Sequence, residues 1–188
     1  MHHALEVLFD SGAESLLSRI WSGLRDAGLD ATMIDLGARP HVTLAVYDAP
    51  LLGDAEAEIA AFCEQEVPVT VTLSSVGSFP GDEGVVFLAP VVTRELLDLH
   101  ARWHEHFTRW REAVWPYYLP GAWVPHCTMG FHVAPRLLPA AIEFVRTANL
   151  PIRGTLARAS VLEFDSTSPA SLRSRFAVPL GEGSRAEK

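Results

Sequence analysis

Pro40-His41-Val42-Thr43-Leu44-Ala45-Val46-Tyr47-Asp48-Ala49-Pro50 recurs, loosely, as Pro125-His126-Cys127-Thr128-Met129-Gly130-Phe131-His132-Val133-Ala134-Pro135. Proline, histidine, threonine, alanine and proline keep the same register, and a small residue (Ala45, Gly130) follows a large apolar one each time. In the first copy Val42, Leu44 and Val46 alternate with His41, Thr43 and Ala45, the period-two pattern of a strand. Residues two apart on a strand share a face. His41 and Thr43 are therefore expected to point one way, as are His126 and Thr128, with Val42, Leu44, Cys127 and Met129 in the opposite layer. Ala45 and Gly130 are expected to continue the histidine face with almost no side chain, and Tyr47 and His132 to lie further along it as rim candidates.

The likeness between the halves extends past the motif. Leu5 to Phe9 reads as a strand, and Ser11-x-x-Glu14 as a capping box opening a helix that carries Leu16, Leu17, Ile20, Trp21 and Leu24 at helical spacing and ends near Gly28. After the motif strand, Asp54 is expected to cap a second helix. Pro68 opens a strand with Val69, Val71 and Leu73 on one face, and the turn Pro80-Gly81-Asp82-Glu83-Gly84 leads into another strand near Val85 to Val92. Thr93 then caps a helix with Leu96, Leu99, Trp103, Phe107, Trp110 and Val114 along one side. An aromatic, proline-rich loop (115–121) feeds the second motif; a helix (135–148) and two strands (153–164 and 171–180) follow.

Both halves thus read strand, helix, motif strand, helix, strand, strand, an internal repeat of roughly 85 residues, the separation of His41 from His126. The predicted fold is α+β: a bilobal, pseudo-twofold duplication, with antiparallel sheets facing a central cleft and helices outside. The domain expectation is one bilobal unit over 1–180. Its repeats run from about 4 to 92 and from about 85 to 180, overlapping at a shared strand, with a flexible tail over 181–188.

Composition narrows the function classes. With 48% hydrophobic and 20% charged residues the 188-residue chain reads as soluble and globular. No apolar run approaches the roughly 18 residues of a membrane span, and Glu6 and Asp10 break the apolar amino-terminal segment that a signal peptide would need. Two cysteines without metal spacing, Cys63 and Cys127, point to a reducing cytoplasm. A net charge of −8 argues against gripping long duplexes through phosphate neutralisation but leaves room for a small phosphate in a locally positive cleft.

Two imidazoles and two hydroxyls around one cavity suit phosphodiester chemistry. A neutral imidazole takes a proton from the attacking oxygen while a protonated one gives a proton to the leaving oxygen. Histidine reaches both forms near neutrality, and threonine hydroxyls can hold the non-bridging oxygens. The paired His-x-Thr-apolar motifs resemble the signatures of the 2H phosphoesterase superfamily, specifically its 2′-5′ RNA ligase-like (LigT-like) branch. The resemblance implies a bilobal fold whose motifs face each other across a cleft. It also implies metal-independent opening of 2′,3′-cyclic phosphates to 2′-phosphates and, in some members, reversible 2′-5′ joining of RNA ends. By position, His41 and His126 would be the acid–base pair, with Thr43 and Thr128 holding phosphate, and neither cofactor nor metal would be required. The implied substrate is a small cyclic nucleotide or an RNA terminus. Some members carry an arginine where this chain has Phe131, so Arg39, Arg173 and Arg175 are candidate phosphate contacts at the rim.

Other residues invite chemistry and are read structurally. His100 and His104, four apart on a helix, lack a third ligand and read as a helix-flank pair. Cys127 points away from its neighbour His126 and is not a nucleophile candidate. Trp115, Tyr117, Tyr118 and Trp123 either pack the loop or stack a base at the cleft mouth, Tyr117 and Trp123 being the rim candidates. Two rivals stand beside the enzyme reading: a catalytically silent nucleotide- or RNA-binding module of the same fold, and a metal-dependent hydrolase using the histidine helix.

Overall fold

The structure, a computed structural model, describes residues 2–48, 55–165 and 168–181. Side chains of 168–171 and of Arg175 are not among those described, and the expected tail beyond 181 and the expected cap Asp54 lie outside the described residues. The elements are β1 (His2–Phe9), α1 (Ser11–Asp26), α2 (Thr32–Asp35), β2 (His41–Tyr47), α3 (Ala55–Gln65), β3 (Val69–Ser78) and β4 (Val86–Pro90). They continue as α4 (Arg94–His106), two 3-10 turns (Thr108–Ala113, Pro116–Tyr118), β5 (Cys127–Gly130), α5 (Leu138–Arg146), β6 (Ile152–Asp165) and β7 (Ser168–Pro179). Apart from the short α2 and the two 3-10 turns, the order is strand, helix, strand, helix, strand, strand, then helix, strand, helix, strand, strand.

All strand pairs are antiparallel and form one seven-stranded network, β2-β1-β6-β3-β4-β5, with β7 added to β6. The two halves of the path, β2-β1-β6 and β3-β4-β5, join where β3 pairs β6, around the partners Val71 and Gly154. The related pairs Thr72-Leu73 and Thr155-Leu156 run away from that central pair by equal steps in opposite directions, so the pseudo-twofold axis passes through it. Gly154 also lets α1 descend onto the sheet: a Cβ there would sit 2.4 Å from the Ala13 Cβ and 3.1 Å from the Phe9 ring.

One apolar layer lies between the sheet and the helices. Leu17, Ile20, Trp21 and Leu24 of α1, Ile59 and Phe62 of α3, and Leu96, Leu99 and Trp103 of α4 meet Leu5, Val7 and Phe9 of β1 and Val42 and Leu44 of β2 there. Burial of this apolar stripe, at about 25 cal/mol per Å² removed from water, is what holds the helices to the sheet. A second, smaller cluster (Ala4, Val46, Leu162, with Trp115, Tyr118 and Phe164 against it) covers the opposite face of the sheet. β1 is consequently apolar on both faces, which is why its sequence shows no amphipathic alternation.

The helix starts differ in detail from the sequence reading. The cap of α1 is Asp10, not Ser11: its Oδ1 accepts from the Ala13 amide at 3.0 Å while Oδ2 accepts from the Thr155 amide of β6. Asp10 thereby fastens helix to sheet as well as satisfying an orphan donor. Thr93 caps α4 as expected, its Oγ1 accepting from the Leu96 amide at 3.3 Å. That helix stops at His106; Trp110 and Val114 belong to the following 3-10 turn and its exit, yet still pack on the same core.

Candidate active site

β2 and β5 terminate opposite ends of the six-strand path, yet they touch, because the sheet curls until its ends meet. The His41 backbone amide hydrogen-bonds the Cys127 sulfur across that junction. Each motif is also pinned by an indole from the other half. Trp21 Nε1–H donates to the Thr128 carbonyl at 3.1 Å, and Trp123 Nε1–H donates to the Thr43 carbonyl at 2.9 Å. The sequence pattern supplies the faces, since His41, Thr43, His126 and Thr128 are half-buried whereas Val42, Leu44, Cys127 and Met129 are fully buried.

The two imidazoles are held alike. His41 Nδ1 lies 2.6 Å from the Arg39 carbonyl and His126 Nδ1 lies 2.8 Å from the Val124 carbonyl. A carbonyl can only accept, so each Nδ1 carries its proton and each neutral ring presents Nε2 as a base. Burial lowers both: it pushes His41 down to about 4, with the Arg39 carbonyl opposing and the nearby His126 charge adding. His126 is lowered by burial against the opposing pull of the Val124 carbonyl.

Both motif strands contain a bulge immediately after the threonine. Glu6 pairs Thr43 while Leu5 pairs Ala45, leaving Leu44 extra; Phe87 pairs Thr128 while Val86 pairs Gly130, leaving Met129 extra. A bulge of one residue reverses the alternation beyond it. That corrects two expectations. Ala45 turns into the helix-side core, and Tyr47 is 1% exposed there, its hydroxyl accepting from Trp103 Nε1–H at 2.7 Å, so it is not a rim residue. Gly130 does not open the cleft either, since a Cβ on it would meet the Val133 side chain at 2.8 Å.

The remaining rim candidates scatter. His132 lies beyond the end of β5 on an exposed turn with φ 59°, so strand alternation does not carry it onto the histidine face. The Arg39 guanidinium is engaged by Glu14 of α1 at 2.8 and 2.7 Å, although its charge is felt at Glu6. Arg173 is exposed and stands opposite Glu163 on the β6–β7 ladder, while the Arg175 side chain lies outside the described residues. Tyr117 is 77% exposed. Trp123 is half-buried, with one ring face stacked on His100 at 4.0 Å and 1°. Phe131 packs its ring on His132 and its amide donates to Asp30, which offers nothing in place of an arginine.

His100 and His104 are not on a helix flank. They are 3% and 5% exposed, with their Nε2 atoms 3.2 Å apart and His100 Nε2–H donating to the Tyr118 carbonyl at 2.9 Å. They brace the 115–123 loop against α4. Among the described residues no cluster of three or more His, Cys, Asp or Glu is arranged to hold a metal, and no helix is long and apolar enough to cross a membrane.

Three residues at the site were missed from sequence. Glu6 is 3% exposed and places Oε1 3.1 Å from His41 Nε2. Phe79 and Phe87 flank His126, with ring centroids at 4.9 and 5.3 Å. Gly77 makes this possible, because a Cβ there would lie 2.4 Å from the Phe87 ring. Glu6 had a signal in sequence, as a lone carboxylate inside the apolar run Leu5 to Phe9. The phenylalanines had none, since their role depends on strand order.

A curled antiparallel sheet with helices packed on it brings the two His-x-Thr strands together where its ends meet, an arrangement of the two-histidine phosphoesterase class. The chain belongs to the 2′-5′ RNA ligase superfamily, whose model matches residues 13–168. Solved structures share the fold at low identity. TT0787 of Thermus thermophilus superposes with a TM-score of 0.64 at 18% identity, covering 98% of this chain and all of that one. E. coli LigT in complex with 3′-AMP gives 0.59 at 12% identity, covering 95% of this chain and 96% of that one. Its complex with NADP+ gives 0.57 at 13%, covering 96% and 97%. No curated protein matches the sequence significantly.

Proposed function

We propose that this chain is a cyclic phosphodiesterase that opens 2′,3′-cyclic phosphates to 2′-phosphates by histidine acid–base catalysis, and that the same site run backwards supports 2′-5′ joining of RNA ends. The observation that carries the reading is the matched pinning of the imidazoles, each fixed by Nδ1–H on the carbonyl two residues upstream, so that proton transfer falls to Nε2, which on His41 also meets Glu6. During hydrolysis one Nε2 takes the proton of water as its oxygen bonds to phosphorus, and the other gives a proton to the ribose oxygen as the P–O bond breaks. Thr43 and Thr128, on the same faces, donate to non-bridging oxygens whose charge grows toward the transition state. Superfamily members bind small nucleotides, as E. coli LigT does 3′-AMP, which fits a compact substrate such as a cyclic nucleotide or an RNA terminus. Such a site belongs in a reducing, cytoplasmic setting.

The test is turnover of a nucleoside 2′,3′-cyclic phosphate by purified protein in EDTA. Activity should persist in the chelator and fall by at least about 10³-fold in His41→Ala and in His126→Ala, as expected when either half of an acid–base pair is removed. Because burial lowers both imidazoles, the acid limb of kcat should lie below the ~6.5 of a free histidine. Binding without turnover would favour a silent module, and loss of activity on chelation would favour a metal hydrolase.

A further inference from the structure

The two motif strands are bulged alike and their imidazoles held alike, but the residues paired with their threonines differ in chemistry. Glu6 stands opposite Thr43 at the bulge of the first motif, and Phe87 stands opposite Thr128 at the bulge of the second. These are equivalent positions on equivalent strands, β1 and β4. On one side a carboxyl touches the imidazole Nε2 at 3.1 Å; on the other a phenyl ring packs against the imidazole, supported by Phe79. Acid–base catalysis needs two histidines that differ by a proton, and unlike surroundings fix which of the two carries it.

We propose that Glu6 is the positioning residue that breaks this symmetry: its carboxyl and His41 Nε2 share a single proton, which keeps His41 as the proton donor while phenylalanine-flanked His126 serves as the base. The inference rests on the phosphoesterase reading and adds a third group to it. The hydrogen bonds leave little alternative for where that proton sits. Nδ1–H of His41 is committed to the Arg39 carbonyl, so a 3.1 Å contact between Nε2 and a carboxyl oxygen requires a proton on one or the other. Burial supports the same count, holding the Glu6 carboxyl well above the usual carboxylate range against the opposing charge of Arg39. The contact itself therefore holds one proton, and which atom carries it is a property of the pair.

The groups around the pair do not compete for that proton. Tyr118, from the 3-10 turn, and Cys127, from β5, are each pushed up to about 12 by burial and stay neutral. Ser160 of β6, opposite Glu6, does not titrate, and Arg39 stays cationic on Glu14. His126 is the remaining titrating group. In the reaction water loses a proton to His126 Nε2 and its oxygen bonds to phosphorus. The leaving ribose oxygen, far more basic than a carboxylate as its bond to phosphorus breaks, takes the proton from His41 Nε2. One proton has then moved from the Glu6–His41 pair to the product and one from water to His126. Exchange with solvent restores both.

Glu6→Gln separates a proton partner from a packing group, because its amide can still donate to Nε2 but holds no titrating proton. The expected result is a basic limb of kcat displaced to lower pH by at least a unit, hence a loss of about tenfold or more at pH 8 that shrinks toward pH 5, with KM changed less than about twofold. An unmoved limb in folded Glu6→Gln protein would overturn the proposal. A second reading does not depend on the variant folding: in wild type, the His41 Nε2 ¹⁵N signal should show a titration step above the ~6.5 of free histidine. A single step well below that value would also overturn it. If wild type fails to open any cyclic phosphate, the activity reading falls, while the ¹⁵N titration still judges the shared proton independently.

Discussion

Tyr47→Phe removes a single oxygen atom and tests where the motif strand goes after its bulge. Trp103 is fully buried, and its Nε1–H has the Tyr47 hydroxyl as acceptor at 2.7 Å. Phenylalanine fills the same volume but leaves that buried donor without a partner, which costs about 1–3 kcal/mol. With a urea m-value of about 2 kcal/mol/M, a loss of about 2 kcal/mol moves the unfolding midpoint down by roughly 1 M. The same loss lowers Tm by roughly 4–8 °C at the 2–4 °C per kcal/mol typical of this chain length. Equilibrium unfolding read by tryptophan fluorescence measures the shift, and steady-state kinetics on a cyclic phosphate supply the control. Because Tyr47 lies on the helix side of the sheet, KM and kcat should stay within about twofold of wild type. A variant with unchanged midpoint and raised KM would refute the reasoning, for it would return Tyr47 to the cleft rim and remove the alternation switch at Leu44.

Two further outcomes follow from the same geometry. Thr43→Val and Thr128→Val keep the β-branched shape but delete the phosphate donors, so kcat should fall by about 10² for each while the unfolding midpoint holds, measured by initial rates and urea titration. Asp10→Ala removes both the α1 cap and the Thr155 acceptor, costing about 1–2 kcal/mol at neutral pH. The amide donors, Ala13 first, lower the Asp10 carboxyl below its ordinary value. Its contribution is therefore complete above about pH 4 and lost as pH falls through the depressed value. Melting curves of variant and wild type should converge only in that acid window.

How far the sequence reaches here is set by what kind of interaction fixes each feature. The repeat unit, the antiparallel pairing and the outward helices follow from local periodicity and from equivalences such as Thr72-Leu73 with Thr155-Leu156, and those survive folding. The facing of His41, Thr43, His126 and Thr128 survives too, because the four residues precede the bulges. Extrapolating the same alternation past the bulges fails at Ala45 and Tyr47, since an extra residue in a ladder depends on the partner strand and leaves no mark in the strand's own pattern. His100 and His104 depart from the helix-flank expectation for a related reason: helical spacing locates them on one face but says nothing of the Trp123 ring and Tyr118 carbonyl that cover that face.

Glu6 makes the opposite case, because its signal was present and meant something other than it suggested. A carboxylate in an apolar strand breaks a leader-like pattern, and it also requires a partner if the strand is buried on both faces. A buried carboxyl in such a strand needs a proton or a partner, and β1 runs beside only one strand able to supply an imidazole, β2. Had the duplication been exact, the cleft would have held two chemically equal histidines and no built-in direction for proton flow. On the proposed mechanism, the divergence at this pair, carboxyl in β1 and phenyl in β4, is what gives the doubled motif an acid side and a base side.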